Sequence, residues 1–579
     1  MDSRTAAHVL SKIAAYLELK GENTFKCRAY LGAAKGLLAL GADDLTPLFR
    51  SGELERVRGL GPATLAVIRD LVEFGESRYL EQLRESTPEG LLEMLDVPGL
   101  SADKIRKIHD GLGLETLEEL EAAARDGRLA SLPRFGPKTA QRILKGIAFL
   151  RDKGSLRLHH HALVEAAQLV AMVGQHPDIE RVEVAGDIRR HCEVAASVVL
   201  VAACRRAPAE TAQSFTRVPG VRHAEGADAS VVIRFVDGAR LDLHCVELTQ
   251  FGVALWRETG SAAHVADVRE RLARRGLRID NDWLRDGGGR IVPAPDETVL
   301  YQAAGLAFVE PELREAMGET DAAEHGGLPN LIEPTAIRGA LHCHSHYSDG
   351  KASVREMADA ARERGWSYIG ISDHSQSAFY AGGLPPERIL AQHEEIDELN
   401  TRLRDFHVLK GIEADILADG RLDYSADILD RFDYVTGSIH SRFAMDGATM
   451  TERVLSALDD PHLTILGHPT GRLLLAREPY AIDVDAVLEK ARAVGAAVEL
   501  NADPHRLDLD WRHLRRAKTL GVSVAIGPDA HSVNGLDTVN GGVAIARKAW
   551  LEARDVLNAR AAEDVLAFAR ARRTAKGVA

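Results

Sequence analysis

The stretch LHCHSHYSDG at residues 341–350 decides how the C-terminal part of this chain folds and what it holds. Side chains alternate along an extended segment, so His342 and His344, two apart, face one way, as a shared metal cluster requires. Downstream, short apolar runs each end in a potential ligand: YIGISDH at 368–374, VLKGIEAD at 408–415, YVTGSIH at 434–440, LTILGHP at 463–469 and VAIGPDAH at 524–531. Helical stretches separate them. Strand–helix alternation that closes into a barrel puts the strand C-termini at one rim, where His374, Glu413, His440, His468, Asp529 and His531 converge. Imidazole and carboxylate without thiolate suit zinc, manganese or iron, and several ions bridged by a carboxylate suit phosphoester hydrolysis. Alone, each of these residues reads best as a satisfied core histidine or a capping carboxylate. Together they read as a metal cluster.

Upstream, residues 318–337 (GETDAAEHGGLPNLIEPTAI) have the Gly, Pro and acidic composition of a linker. Residues 154–246 carry β-rich segments (VEVAG, ASVVLVAA, SVVIRFV, ARLDLHCV) with helices between, which predicts a small mixed sheet, and 247–317 reads as a further mixed module. Before that the chain reads as short amphipathic helices, with Val9, Ile13 and Leu17, then Leu65, Ile68 and Leu71, at helical spacing. Three related turns join them: RGLGPATLAVI at 58–68, PGLSADKIRKI at 98–108 and RFGPKTAQRIL at 134–144. They resemble helix-hairpin-helix motifs. In such a turn glycines let the backbone approach a phosphate, and the next helix offers free amides that read no base. Gly59, Gly61, Gly99 and Gly136 are the candidate DNA contacts; a Gly-Pro helix turn with a packing role is the alternative.

A chain of 579 residues is too long for one core, and 45% hydrophobic with 27% charged residues excludes wholesale disorder. The longest apolar run, 194–204, is too short to span a bilayer and no export leader is legible, so a cytoplasmic location without membrane contact is expected. Five dispersed cysteines indicate neither a disulfide framework nor a thiolate zinc site. The net charge of −14 argues against gripping polyanions by bulk charge, though local amides and arginines can still hold phosphate.

The ligand array is similar to the PHP (polymerase and histidinol phosphatase) domain, a trinuclear phosphoesterase on a distorted seven-stranded β/α barrel. The resemblance covers 338–579. It implies three divalent ions (manganese, zinc or iron) held by His342, His344, Asp349, His374, Glu413 as bridge, His440, His468, Asp529 and His531. Ala340 departs from the pattern, since the family often has an aspartate there. The stretches GHPTGRLLLAREPY at 467–480 and ELNADPHRLDLDW at 499–511 resemble the PHP domains of bacterial family X DNA polymerases in particular. Arg472 and Arg506 then become candidate clamps for DNA phosphate, with a surface ion pair an equally good reading. The implied fold is multidomain α+β and α/β: an N-terminal helical DNA-binding domain (1–85), helical fingers (86–153), a nucleotidyltransferase-like palm (154–246), a thumb (247–317), the linker (318–337) and the barrel (338–579).

Within the palm, GDIRRHCEVAASVVL at 186–200 keeps Gly186, Arg189, Arg190 and Glu193, but the family's paired aspartates fall on Ser197 and Val199, leaving Asp242 as the third. Nucleotidyl transfer by two magnesium ions needs bridging carboxylates, which neither a hydroxyl nor an isopropyl group replaces. Asp187 stands where a serine binds the incoming triphosphate and would repel it. RETGS at 257–261 keeps Gly260 and Ser261 of the nucleotide-selecting segment but has Arg257 and Glu258 at its aromatic positions, and Val67 occupies the place of the lyase lysine. The expectation is a base-excision-repair protein: a metal-dependent 3′-5′ exonuclease acting on gapped, nicked or 3′-ended DNA, with abasic-site cleavage as a further activity. No catalytic residue is assigned beyond the cluster, and polymerase activity and palm magnesium are weak or lost. Two alternatives stay open. A gap-filling polymerase with an exonuclease would extend a primer, and a small-molecule phosphatase would leave the hairpins without a purpose.

Overall fold

The computed structural model describes residues 3–575 except 41, 43, 58, 75–76, 86, 96, 98–99, 134, 154–155 and 236–237. Contacts divide the chain into two units, Met1–Ser155 and Leu156–Ala579. Among its described residues the first forms helices and no strand, as its 3.6-residue periodicity predicts. One core joins Ser3–Leu19 and Thr24–Leu40 through Leu10, Ile13, Leu37 and Ile68, and a second gathers Ile105, Leu120, Leu129 and Ile143. The helices Pro62–Phe74, Ala102–Leu112 and Pro137–Lys153 each follow one of the three turns.

In the second unit a five-stranded mixed sheet has the order Ile179–Ala185, Val198–Cys204, Arg240–Glu247, Ser230–Phe235, Val221–Glu225. Only Val198–Cys204 and Arg240–Glu247 pair parallel, and their register sets Val199 opposite Asp242. The helix Phe251–Thr259 leads into the module around Trp256, Leu300 and Tyr301. Segment 318–337 corrects the linker reading. It carries the helix Glu319–His325, whose Ala323 joins that core and whose buried Glu319 bonds His264 at 2.6 Å, while Ile332 joins the barrel core. Composition alone could not show those partners.

The C-terminal region is a parallel sheet of seven strands in chain order: Gly339–Cys343, Tyr368–Ile371, His407–Asp415, Tyr434–Ser438, Leu463–Leu466, Ala497–Asn501 and Val524–Gly527. A parallel bridge between Cys343 and Ala530, with His344 N donating to Ala530 O at 2.9 Å, brings the last strand back to the first. One residue from each strand builds the barrel floor: Leu341, Tyr368, Leu409, Tyr434, Ile465, Ala497 and Ala525, closed by Val565 and Ala569 of the C-terminal helix. Gly370 and Gly411 make room for Tyr434, since a Cβ on either would lie 2.2 or 2.3 Å from its ring or hydroxyl. Among the described residues no helix is long and apolar enough to cross a membrane.

Candidate metal centre

Strand alternation carries the floor upward to the site. Glu413 stands four residues beyond Leu409 in the same strand and shares its inward parity, while His374, His440 and Asp529 follow two or three residues past the ends of their strands. His342 and His468 lie at odd separations from Leu341 and Ile465. Both take left-handed φ, 71° and 22°, which breaks the alternation, and Asp529 is left-handed too at 50°. For non-glycine residues each such conformation costs roughly 1–3 kcal/mol and persists where function retains it.

All nine predicted ligands come together. Four overlapping groups are formed by His344, Asp349, His374 and His531; by His342, Glu413 and His468; by His342, His344 and Asp529; and by His374, Glu413 and His440. Glu413 is central, its oxygens lying 2.8 to 3.8 Å from ring nitrogens of His342, His344, His374, His440 and His468. Asp529 is 3.2 Å from His344 Nε2, and Asp349 is 3.2 Å from His531 Nε2. Glu413, His342 and His344 are buried, whereas Asp349 and His531 are over a third exposed at the mouth.

Buried polar atoms in folded proteins nearly always have partners. Here both ring nitrogens of His344, with His342 Nε2, His374 Nδ1, His468 Nδ1 and Glu413 Oε2, have no hydrogen-bond partner. His374 Nδ1 and Glu413 Oε2 even sit 2.8 Å apart without hydrogen-bond geometry. So many orphans in one cluster fit divalent cations better than a proton network. Burial drives His344 and His468 down to about 4 and about 3, leaving the neutral imidazoles that ligate metals. Burial also opposes charge on His342, yet Glu499, Glu413 and Asp529 outweigh it and hold that ring well above its usual range.

Two carboxylates beyond the predicted set orient the rings. Glu499 takes His342 Nδ1 at 2.6 Å and the His468 amide at 2.6 Å, and Asp415 takes His440 Nδ1 at 2.7 Å. In each histidine this leaves Nε2 for the cluster. The signal was available: Glu499 is two residues beyond the floor residue Ala497, and Asp415 two beyond Glu413. Ala340, the departure from the family pattern, is fully buried in the apolar core with Ile369 and Ile371.

The candidate phosphate clamps divide. Arg506 lies at the mouth, its Nε 3.5 Å from Asp529 Oδ2. Arg472 is spent internally: its donors reach Arg506 O at 3.0 Å, Asp510 at 2.9 Å and the palm's Glu193 at 3.3 Å.

The palm positions meet in a different way. Asp242 accepts from Ser197 Oγ at 2.8 Å and from Arg240 Nε at 3.0 Å. Val199 packs against Gly186, where a Cβ would come within 2.9 Å of its methyl group. Arg190 is held by Asp187 at 2.6 Å and Glu315 at 2.9 Å, and Lys548 from the barrel joins Glu315 and the Arg190 carbonyl. Glu258 pairs with Arg257. Gly260 leaves space for His264, and Ser261 caps the helix Ala262–Arg274, accepting from the His264 amide.

Of the hairpin glycines, Gly59 has φ 97° and approaches the helix Thr24–Leu40 so closely that a Cβ would lie 2.9 Å from Gly32 O. Packing therefore accounts for it as well as phosphate approach does. The Gly61 amide donates to the Thr64 hydroxyl at 2.9 Å, and Gly136 opens the helix Pro137–Lys153 with free space around it. Gly99 lies outside the described residues. Val67 is buried at 3% exposure.

Four known families match successive parts of the chain: a helix-hairpin-helix domain over 1–77, a SAM-like helix-hairpin-helix tandem over 91–148, a DNA polymerase beta thumb over 254–315 and a PHP domain over 340–502. The chain is 37% identical over 572 residues to the DNA polymerase/3′-5′ exonuclease PolX of Bacillus subtilis (strain 168), a match covering 98% of this chain and 99% of that one. A probable phosphatase of Caldanaerobacter subterraneus subsp. tengcongensis is 28% identical over 208 residues, which are 34% of this chain and 77% of that protein.

Proposed function

Because the chain belongs to the family X DNA polymerases that carry a C-terminal PHP domain, we propose that it is a divalent-metal-dependent 3′-5′ exonuclease of DNA whose palm no longer polymerises. The observation that carries this reading is Glu413 amid five imidazoles, several with unpartnered nitrogens. His342, His344, Asp349, His374, Glu413, His440, His468, Asp529 and His531 would hold three ions, of manganese, zinc or iron. Such ions supply water activation and neutralise the oxygens of the phosphodiester under attack.

The chain's own groups set the geometry for that chemistry. Glu499 and Asp415 fix the rings of His342 and His440, and the exposed Asp349 and His531 form the entry side. Arg506 offers a cation to the incoming phosphate. Arg472 has no such role, because Glu193, Asp510 and backbone carbonyls already take its donors. The hairpin turns with Gly59, Gly61, Gly99 and Gly136 would let the DNA backbone approach the amides that open the following helices, a sequence-independent grip in which the Gly61 amide, bonded to Thr64, takes no part.

Of the three palm positions where the family holds aspartates, Asp242 alone keeps one, and it is held by Arg240 and Ser197, which leaves a magnesium pair without its bridging ligands there. The nucleotide positions Gly186, Arg190, Gly260 and Ser261 belong to ion pairs, packing and a helix cap. The likeness to phosphatases covers a third of the chain, whereas the likeness to PolX covers nearly all of it, which favours DNA over a small phosphate ester. Repair of gapped or nicked DNA in the cytoplasm, with cleavage at abasic sites, completes the reading. The test is a labelled, 5′-phosphorylated gapped duplex incubated with Mn²⁺ or Mg²⁺, with and without dNTPs. Shortened primers in every lane support the reading, and robust extension overturns the palm half of it.

A further inference from the structure

Between the ligand His374 and the helix Pro386–Arg402, the loop 375–384 exposes the two most solvent-open large apolar side chains of the barrel region among the described residues. Phe379 is 84% and Tyr380 65% exposed. Folding gives no reason for this, since burying rings of that size would be favourable. Nor is the loop loose. Ser375 Oγ and the Ser377 amide both bond Asp423, at 2.8 and 2.9 Å, and Leu384 N returns to His374 O at 2.8 Å. Gly383 runs so close to Ser375 that a Cβ would lie 1.9 Å from its carbonyl oxygen, and Ala378 and Ala381 on either side of the aromatic pair are buried. The backbone is therefore anchored at both ends and holds the two rings out into solvent, centroids 6.1 Å apart and planes at 77°.

The pair also stands beside the cluster. Its loop starts at His374 and at Gly382 passes the Ser348 carbonyl, next to Asp349, so closely that a Cβ there would lie 3.4 Å from the oxygen. Carboxylates that hold metal, a guanidinium for phosphate and flat apolar faces thus occupy one rim. A nucleotide presents those same features in turn, a phosphodiester flanked by planar bases.

We propose that Phe379 and Tyr380 form a stacking subsite for the unpaired bases at the 3′ end of the DNA strand that enters the cluster. The assignment rests on the exonuclease reading above. Each aromatic offers one face to one base, and such stacking tolerates any sequence because every base has a π face. Binding energy gained on the bases would then seat the terminal phosphodiester among the ligands, with Arg506 contributing charge.

The test compares the full-length protein's affinity for two short single-stranded oligonucleotides, one normal and one abasic at its two 3′-terminal positions, with EDTA present to prevent hydrolysis. Taking the ratio of the two affinities cancels contacts made elsewhere, including those of the hairpins. Wild type should bind the normal end about tenfold tighter or more. Phe379→Ala with Tyr380→Ala should bring the ratio close to one, as should the double leucine variant, which keeps apolar bulk but lacks a flat face. Phe379→Trp with Tyr380→Phe should retain the ratio, and abasic-strand binding reports that each variant is folded. A wild-type ratio near one, or a ratio unchanged in the alanine and leucine variants, overturns the assignment. Failure of the exonuclease reading would look different: no shortening of DNA in Mn²⁺ while the ratio persists.

Discussion

The palm and the barrel rim both gather carboxylates among basic side chains at strand ends, and they differ in what those basic groups are. Across the palm and the adjoining module 247–317 they are chiefly arginines and a lysine, permanently charged, which pair with the acids: Asp242 with Arg240, Glu315 with Arg190 and Lys548, Glu297 with Arg189 and Arg314. At the rim they are mostly histidines, of which His344 and His468 are held neutral by burial, and several keep nitrogens without partners. A carboxylate cluster closed by guanidinium groups is structural. One closed by imidazoles keeps lone pairs for a cation. On the function proposed above, the acids of the one site are taken up by ion pairs and those of the other stay open to metal.

The largest expected effect sharpens the rim side of this contrast. His344→Ala, His440→Ala or Asp529→Ala should lower primer shortening in Mn²⁺ by roughly 10³-fold or more, since each ion supplies several kcal/mol of charge stabilisation. Chelation should do the same, reversibly. Wild-type degradation by any of these variants breaks the ligand assignment. Next, the ion pairs between the palm and the module 247–317 should respond in stability. Glu297→Ala leaves the fully buried Arg314 and its neighbour Arg189 without their shared carboxylate, a loss of about 3–5 kcal/mol in chemical denaturation.

Smaller, and back at the rim, Glu499→Gln should weaken metal affinity about 10- to 100-fold in a metal titration, because Glu499 orients His342. An unchanged affinity would remove Glu499 from the site. The smallest effect is one of pH. Burial, with His159 and cationic neighbours adding to it, pulls His191 from 6.5 down to about 4. The unfolded chain therefore takes up its proton first as pH falls, so this contribution is complete above pH 6.5 and is lost progressively toward pH 4. His191→Asn, which tolerates the left-handed φ of 52° at this position, should flatten the stability profile over that window.

The nine residues that converge at the rim were legible in the sequence because metal binding admits few residue types and the barrel places most of them at strand ends, with Asp349 added by the family resemblance. The orienting carboxylates were harder to see. Glu499 and Asp415 sit inside motifs whose neighbours already carried the chemistry, and only strand parity, fixed once the floor residues are known, turns them inward. Arg472 looked like a phosphate clamp because its partner Glu193 lies 279 residues away in the chain. The segment 318–337 looked like a linker for the same reason, since the burial of Glu319 depends on His264. Phe379 and Tyr380 carried no signal at all, because an exposed aromatic pair is recognisable only when the anchoring of its loop is seen.

The central claim, a closed palm beside an open rim, is tested most directly by dNTP incorporation on a gapped, 5′-phosphorylated duplex with Mg²⁺ and Mn²⁺, using protein in which His344→Ala has silenced degradation. The account predicts no templated extension above a control without enzyme, because Ser197 and Val199 supply no metal ligand and Asp242 is held by Arg240. Robust, template-directed synthesis by that variant would contradict it.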